Sequence, residues 1–459
     1  MLKGVLIGLA VVLVAAIAAF GLAAWRPEIN AVEPATVTSF DPKLVETGAH
    51  LAAMGNCITC HTTKNGEPLA GGTAISTPFG TIHSTNITPD SETGIGRWSE
   101  EAFQRAMREG VDRRGHHLYP AFPYDHFTLL TNEDNRALYA YLMTRTPVRA
   151  EAPRNDLRFP FNLRVLIAGW KILYLDKGPY ETNPDANAEW NRGAYLVEGL
   201  AHCGACHTPR NALGAERKDA AYSGGYTEGW YAYAINSASP APMPWDRESL
   251  FWYLRRGWHE LHGVSRGPMA PVTANLDRVP DEDVRAIASY VAWLIGEPSE
   301  ERRRRAVLLV KEIADSLSER NPASADSQAA PVVGAGNNSA AAIVYVGACA
   351  TCHESGTPLP HGGLHLKLST GTHAPDPRNV INVVLDGLPP AEGERSALMP
   401  GFRGTMSEQN LVALLQYLRG RFSDAPAWTG LDQMVRERLA DQTTFGASAT
   451  VRDQSAPAQ

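Results

Sequence analysis

The chain has 459 residues, 44% of them hydrophobic and 20% charged, a composition that excludes a disordered chain and describes a folded protein able to bury cores. At about 150 residues per domain the length suggests three domains. A formal net charge of -7 speaks against nucleic acid as a partner and suits a soluble surface that meets other proteins.

From Gly4 to Trp25 the chain runs 22 residues without a charge, bounded by Lys3 and Arg26. That run is long enough to span a bilayer and longer than the apolar region of a usual secretory signal. Residues 1–26 are therefore read as an N-terminal transmembrane anchor. A removed signal segment is the alternative, because Gly21, Ala23 and Ala24 offer a small-residue cleavage site. Either reading exports the remainder of the chain.

A short apolar helix is expected over 44–55, ending at Cys57-Ile58-Thr59-Cys60-His61. The pattern returns at Cys203-Gly204-Ala205-Cys206-His207 and Cys349-Ala350-Thr351-Cys352-His353, after apolar helices expected over 193–202 and 341–348, and the three copies use all 6 cysteines. Shuffling the chain would give about 0.002 such pentapeptides, so three copies with no stray thiol are a specific signal for c-type haem attachment. Two cysteines three apart on a helical turn point the same way and reach one porphyrin, while the adjacent histidine reaches the iron. Three isolated Cys2His sets do not close a tetrahedral zinc shell. A thioredoxin-like pair sits in a βαβ pattern without an obligatory following histidine. Disulfide pairing within each motif is the bland alternative, and haem attachment is preferred. Cys57, Cys60, His61, Cys203, Cys206, His207, Cys349, Cys352 and His353 are thus assigned to three covalent haem c groups. Such attachment implies an exported, periplasmic location in a Gram-negative bacterium.

The first cysteines of the motifs are each 146 residues apart, and the repeat extends beyond them. Trp98-Ser99-Glu100-Glu101 opens a helix ending at Gly110, and Trp245-Asp246-Arg247-Glu248 opens one ending at Gly257. Ser99 and Asp246 are N-cap residues, and the glycines follow the last turn. The third unit has a shorter equivalent from Asp376-Pro377-Arg378 to Gly387, with proline at the first helical position. A last helix follows in each unit, over 132–144, 281–295 and 407–419. Tyr141, Tyr290 and Tyr417 hold the same place on its apolar face, where packing against the first helix is expected in preference to a redox role. Little of the chain alternates with period two, and the helix pairing resembles the cytochrome c fold.

A cytochrome c that only carries electrons usually closes its sixth iron position with methionine, which raises the potential. Gly267-Pro268-Met269-Ala270-Pro271 lies 66 residues after Cys203, and Leu398-Met399-Pro400-Gly401 lies 50 residues after Cys349, both just before the last helix. A lone methionine is usually core filler. One beside proline in a loop is poorly explained that way, so Met269 and Met399 are the expected iron ligands. Met243, between Pro242 and Pro244, precedes the Trp245 helix and ranks lower; Met406 is read as packing.

The first unit departs from this pattern. Its loop reads Leu118-Tyr119-Pro120-Ala121-Phe122-Pro123-Tyr124-Asp125-His126-Phe127, with Phe122 standing 65 residues after Cys57, where a methionine is expected. Phenylalanine cannot ligate iron. His116, His117 and His126 flank it, and neutral imidazole is a good iron ligand. His126, on the side leading to the last helix, is the first choice. His117 or His116, the distant Met54 or Met107, and an open or water-bound iron stay as alternatives. A histidine ligand would set this haem at a lower potential than two His/Met haems.

Between the first two units, Leu163, Leu166, Ile167, Trp170, Leu173 and Tyr174 recur at helical spacing, with Arg164 and Lys171 elsewhere on the wheel. Two readings stand side by side: a helix on a membrane surface, or one packed against the protein's own domains. A charged helix is expected over 299–318, its run from Arg302 to Arg305 read as a solvated face in preference to a lipid or acidic-partner dock. A flexible linker over 321–340 follows. From Ala427 the tail is polar, and it is expected to be poorly ordered or used for docking. The fold class is mainly α: three tandem cytochrome c domains behind an N-terminal membrane anchor or signal segment. The domains are 40–150, 189–298 and 341–425, with a linker at 151–188, a charged helix and flexible linker at 299–340, and a polar tail at 426–459.

The combination resembles the tri-haem cytochrome c subunits of membrane-bound bacterial dehydrogenases, such as those serving quinoprotein alcohol, flavoprotein gluconate and molybdenum-containing aldehyde dehydrogenases. It covers roughly residues 40–425 and rests on Thr85-Asn86-Ile87-Thr88-Pro89-Asp90, Gly94-Ile95-Gly96-Arg97-Trp98, Leu118-Tyr119-Pro120-Ala121, the stretch from Asn162 to Trp170, His207-Thr208-Pro209-Arg210-Asn211 and Gly267-Pro268-Met269-Ala270-Pro271. Where many members carry Ala-Met-Pro-Tyr, this chain has Ala121-Phe122-Pro123-Tyr124 followed by Asp125-His126-Phe127-Thr128. That variant looks more like the cytochromes paired with molybdenum hydroxylases acting on aldehydes or N-heteroaromatics such as nicotinate or isoquinoline. The resemblance implies a non-catalytic electron-transfer subunit at the periplasmic face of the inner membrane. Its partners are a catalytic dehydrogenase subunit of molybdenum, flavin or PQQ type, a small iron-sulfur subunit, and ubiquinone or a terminal oxidase as acceptor. The sequence supplies no Gly-rich nucleotide loop, Walker motif or non-haem metal cluster. The competing class is a multihaem enzyme such as a peroxidase, with the first haem as an open catalytic iron; a free-standing quinol or cytochrome shuttle is a third reading.

Overall fold

The structure, a computed structural model, describes residues 2–34, 40–319, 339–357, 359, 362–388 and 399–441. Most of the expected flexible linker, and the tail beyond 441, lie outside the described residues. The chain divides into two compact bodies: one comprises the chain up to Asn187 with Ala194–His202 and Asn211–Ala215, the other Ala188–Gly193, Cys203–Arg210 and the chain from Glu216.

In the first body, α1 (Leu2–Ala24) takes up the uncharged run. Its 23 residues at about 1.5 Å each outreach a hydrocarbon core of about 30 Å. By length and composition it can cross a membrane. α2 (Pro42–Met54) starts with proline in its first turn and with Asp41 accepting from the Lys43 backbone; α3 (Cys57–Cys60) is one turn carrying the first cysteine motif. β1 (Ala74–Thr77), β2 (Gly80–His83) and β3 (Asp156–Leu157) form a small antiparallel sheet in that order. α4 (Glu100–Glu109) begins where Ser99 accepts from Ala102 N and stops at left-handed Gly110, as the sequence predicts. α5 (Tyr124–Phe127) and α6 (Asn132–Met143) follow. α2 and α6 cross with Gly48 at the contact, where a Cβ would come within 2.0 Å of Ala137 O and 2.7 Å of the Tyr141 Cβ. Tyr141 therefore packs on the first helix, as expected.

α7 (Leu166–Tyr174) forms from the amphipathic segment. Trp170 is buried edge-on to Tyr124 at 6.1 Å, and its indole N–H donates to Leu213 O at 3.0 Å. Lys171 is buried as well: its Nζ donates to Glu109 O and Gly110 O at 2.6 and 2.5 Å and to His117 Nδ1 at 3.1 Å. The ammonium thus meets the carbonyl end of α4, where the helix dipole favours a cation. Burial pushes its pKa down to about 7, while the acceptors around Nζ favour the charged form. Lys171→Met is expected to cost about 1–3 kcal/mol, since the two carbonyls lose this buried donor. A lower thermal midpoint of the haem-loaded protein is the readout, and an unchanged midpoint contradicts the clamp.

The second body begins with Ala188–Gly193 of α8 (Ala188–Tyr195); the end of that helix and the π-helical turn that continues it, Leu196–Leu200, belong to the first body. α9 (Gly204–His207) carries the second motif. β4 (Gly225–Thr227) and β5 (Trp230–Ala232) form a hairpin turned by Glu228 and Gly229, both at positive φ, the geometry that matches strand twist. α10 (Arg247–Arg256) opens on a capping box of Asp246 and Ser249, and the short pair β6 (Trp258–His259) and β7 (Gly263–Val264) follows. α11 (Met269–Leu276) and α12 (Asp281–Ile295) come next. Gly193 lies on α12 as Gly48 lies on α6: a Cβ would stand 2.1 Å from Ala286 O and 2.8 Å from the Tyr290 Cβ. α13 (Glu300–Glu319) is the expected charged helix.

Beyond it, α14 (Ser339–Ala348), α15 (Ala350–His353), α16 (Thr370–His373), α17 (Arg378–Asp386) and α18 (Glu408–Phe422) assemble around Tyr345, Ile381, Leu411 and Leu415. Tyr417 joins that core with its ring 5.6 Å from Tyr345. One expectation is corrected here. The segment read as polar tail holds α19 (Leu431–Ala440), whose Leu431 and Val435 are buried in the same core, because residues four apart share one helix face.

Candidate haem centres

None of the six cysteines is joined in a disulfide. Burial pushes the Cys57 thiol up to about 12 and Cys349 up to about 11, with the neighbouring cysteine adding to each, and burial raises Cys206 too. Thiols held this way stay protonated, unlike the low-pKa thiolate of a reactive cysteine.

The three histidines share one local geometry. His61 Nδ1 donates to Thr85 O at 2.6 Å, His207 Nδ1 to Tyr233 O at 2.6 Å and His353 Nδ1 to Leu364 O at 2.7 Å. A carbonyl accepts only, so each ring carries its proton on Nδ1 and its lone pair on Nε2. Burial lowers the pKa of all three, which favours neutral imidazole, the ligating form. Fixing one ring nitrogen on a carbonyl so that the other can hold a metal is the usual outer-shell arrangement of ligating histidines. The donor set of two thiols and a pre-oriented imidazole therefore fits haem c.

Thr85, Tyr233 and Leu364 were not singled out in the sequence, because a backbone acceptor has no residue signature. Thr85 does open the quoted Thr85-Asn86-Ile87-Thr88 stretch, and Asn86 pins that loop by donating to Val148 O at 2.7 Å. Tyr233 follows β5, whose Tyr231 is gripped from α17: Asn379 accepts from Tyr231 N at 2.9 Å and donates to Tyr231 O at 2.8 Å.

Met269 is the first residue of α11 and half-buried. The turn before it requires glycine, since Gly267 has φ of 56° and a Cβ there would stand 2.5 Å from the Trp230 indole. Met399, also half-buried, closes a bridge in which Leu388 N donates to Met399 O at 2.9 Å. Met243 is buried with Ala306, Ile313 and Leu368, and Met406 packs on the core around Leu415.

In the first unit, Phe122 packs edge-on to Phe127 at 5.3 Å. His117 uses both ring nitrogens, Nε2 donating to Ala24 O at 2.8 Å and Nδ1 accepting from Lys171. His116 is exposed beside Asp112, with Nδ1 at 3.0 Å from the carboxylate. His126 is buried, and its Nδ1 donates to Glu198 O at 2.6 Å, which repeats the geometry of the three motif histidines. The acceptor lies in the π turn, where Ala201 N reaches back to Leu196 O; such turns recur at functional sites.

A family model for cytochrome c matches residues 45–146, and one for cytochrome c oxidase, cbb3-type, subunit III matches residues 336–418. A nicotinate dehydrogenase subunit of Pseudomonas putida is 46% identical over 89% of this chain, which spans 33% of that longer protein. The fructose dehydrogenase cytochrome subunit of Gluconobacter japonicus is 35% identical, with 91% of this chain and 87% of the relative covered. The cytochrome c subunit of the quinone-dependent alcohol dehydrogenase of Gluconobacter oxydans is 33% identical over 88% of this chain and 85% of the relative. The chain therefore belongs to the family of dehydrogenase cytochrome c subunits, electron carriers with covalently bound haem c.

Proposed function

We propose that the chain passes electrons from a periplasmic dehydrogenase through three haem c groups to ubiquinone or a terminal oxidase, anchored by α1 in the inner membrane. The observation that carries this reading is the threefold Cys-x-x-Cys-His pattern in which every histidine is oriented by a backbone carbonyl. Domains 40–150, 189–298 and 341–425 would each hold one group. Haem c supplies a one-electron iron couple. Cys57 and Cys60, Cys203 and Cys206, and Cys349 and Cys352 would bind it, with His61, His207 and His353 as proximal ligands. Met269 and Met399 are the proposed sixth ligands of the second and third groups. His126 is that of the first, supported by its burial and Nδ1 orientation.

The partner favoured is a molybdenum hydroxylase acting on N-heteroaromatics or aldehydes, supported by the likeness to a nicotinate dehydrogenase subunit and by Phe122 in place of methionine. Flavin and PQQ dehydrogenases, with or without a small iron-sulfur subunit, are the other candidates. The intact mass of the purified protein, with its pyridine haemochrome, is expected to count three haems, and Cys203→Ala with Cys206→Ala to count two. Two haems in the unsubstituted protein would overturn the reading.

The peroxidase reading draws on Phe122 alone. Carbon monoxide binding to the reduced protein separates the two: none is expected of a carrier, whereas ready binding at one haem in three favours the enzyme. With His126 ligating, the first group is expected to titrate at a lower potential than the other two.

A further inference from the structure

α7 is inverted relative to a helix on a soluble surface. Its nine residues hold one charge, Lys171, and that residue is buried. Outside, Ile172 is 75% and Leu173 66% exposed, and Leu166 is exposed too. Just before the helix, Phe159 is 78% exposed and Leu163 43%. A helix facing water carries its polar residues outward, and a contiguous exposed apolar patch marks an interaction surface.

What covers this face is indicated by what adjoins it. Phe20, near the end of α1, lies against α7, its ring 3.6 Å from where a Gly169 Cβ would stand. The chain leaving α1 is strapped to the same body: Ala24 O accepts from His117, Ile29 N donates to Arg113 O at 2.9 Å, and Pro27 O accepts from Arg105 at 2.7 Å. His117 in turn holds Lys171 of α7. The last turns of a helix fit to span a bilayer and the apolar face of α7 therefore form one corner, with exposed Trp25 beside it, a residue type at home in the interface. A cavity of about 420 Å³ opens at that corner, with Phe20 and Ile172 on its apolar side and both signs of charge, Arg26, Lys177, Glu109 and Asp176, on the other. Apolar surface beside mixed charge suits the boundary between acyl chains and headgroups.

We propose that α7 and the segment from Phe159 are a second membrane contact, an interfacial helix lying in the headgroup layer beside α1. This rests on the reading that α1 is kept as an anchor. With every native cysteine in a haem motif, an introduced cysteine is the selective site for a nitroxide label. The full, haem-loaded chain is placed in nanodiscs of phosphatidylethanolamine and phosphatidylglycerol and reduced, so that the iron is diamagnetic. Labels go at Ile172→Cys, at Leu13→Cys in α1 and at Gln416→Cys, an exposed position of α18. Collision with oxygen relative to a water-soluble nickel chelate is expected to be several-fold higher at residue 172 than at 416. A water-like ratio at 172 overturns the proposal, and so does shielding from both reagents, the signature of a protein partner. If residue 13 reads as lipid and 172 does not, the second contact fails while the anchor stands. If residue 13 is missing because the segment has been removed, a lipid signal at 172 still supports the contact and a water signal still overturns it.

Discussion

Gly193→Ala is expected to destabilise the second unit by about 3 kcal/mol, because its methyl group lands on backbone and overpacking of a fixed contact is relieved only by moving the helices. The Cβ would stand 2.1 Å from Ala286 O, and α12 cannot withdraw one carbonyl without shifting as a whole. Gly48→Ala carries the same expectation for the first unit, with 2.0 Å to Ala137 O. The opposite sign is expected at Gly420, an exposed position in α18 with nothing within 4 Å of a Cβ. There alanine should stabilise by about 0.5–1 kcal/mol, since glycine inside a helix costs that much in chain entropy. Denaturant unfolding followed by the Soret band measures all three. Equal small effects at 48, 193 and 420 would mean that the crossings are looser than the structure has them.

The same glycines explain what the even cysteine spacing concealed. Gly48 stands nine residues before Cys57 and Gly193 ten before Cys203, so an interval of 146 residues between the cysteines hides an insertion. The π turn at Leu196–Leu200 absorbs the extra residue and supplies Glu198 O to His126. The haem motifs, the caps at Ser99 and Asp246 and the tyrosines of the last helices were legible, because each depends on a side chain at a fixed offset. Carbonyl partners such as Thr85, Tyr233 and Leu364 were not, because any residue offers that acceptor. Lys171 was placed only off the apolar stripe of its helical wheel, for a related reason. Its burial depends on the carbonyl end of α4, which accepts from Nζ and has no residue signature. α19 was missed because Arg436, Glu437 and Arg438 dominate its composition, while Leu431, Val435 and the buried Arg438 dock it.

Asp386→Ala is expected to have the largest effect in the third unit, about 3–5 kcal/mol, the cost of leaving buried charge without its partner. The Asp386 carboxylate is 3% exposed; Arg403 donates to one oxygen at 2.9 Å and Arg438 of α19 to the other. Arg438 is itself 9% exposed and donates to Asn382 Oδ1 at 2.8 Å. Removing the carboxylate takes the counter-charge from two guanidinium groups at the junction of α17 and α19, the buried Arg438 above all, so α19 should detach and become open to proteolysis. A surface ion pair of this length would be worth about 1 kcal/mol or less and would weaken in salt; burial predicts a large effect that salt barely changes. Adding Arg438→Met to Asp386→Ala should recover part of the loss, because an apolar stem replaces the stranded cation. The consequence extends to electron transfer, since α17 also carries Asn379, whose grip on Tyr231 holds the strand leading to the carbonyl that orients His207. Asp386→Ala is thus expected to shift the midpoint potential of the haem proposed at Cys203 and Cys206 as well as the stability of the third unit. A stability loss with every haem potential unchanged would confine the role of Asp386 to packing.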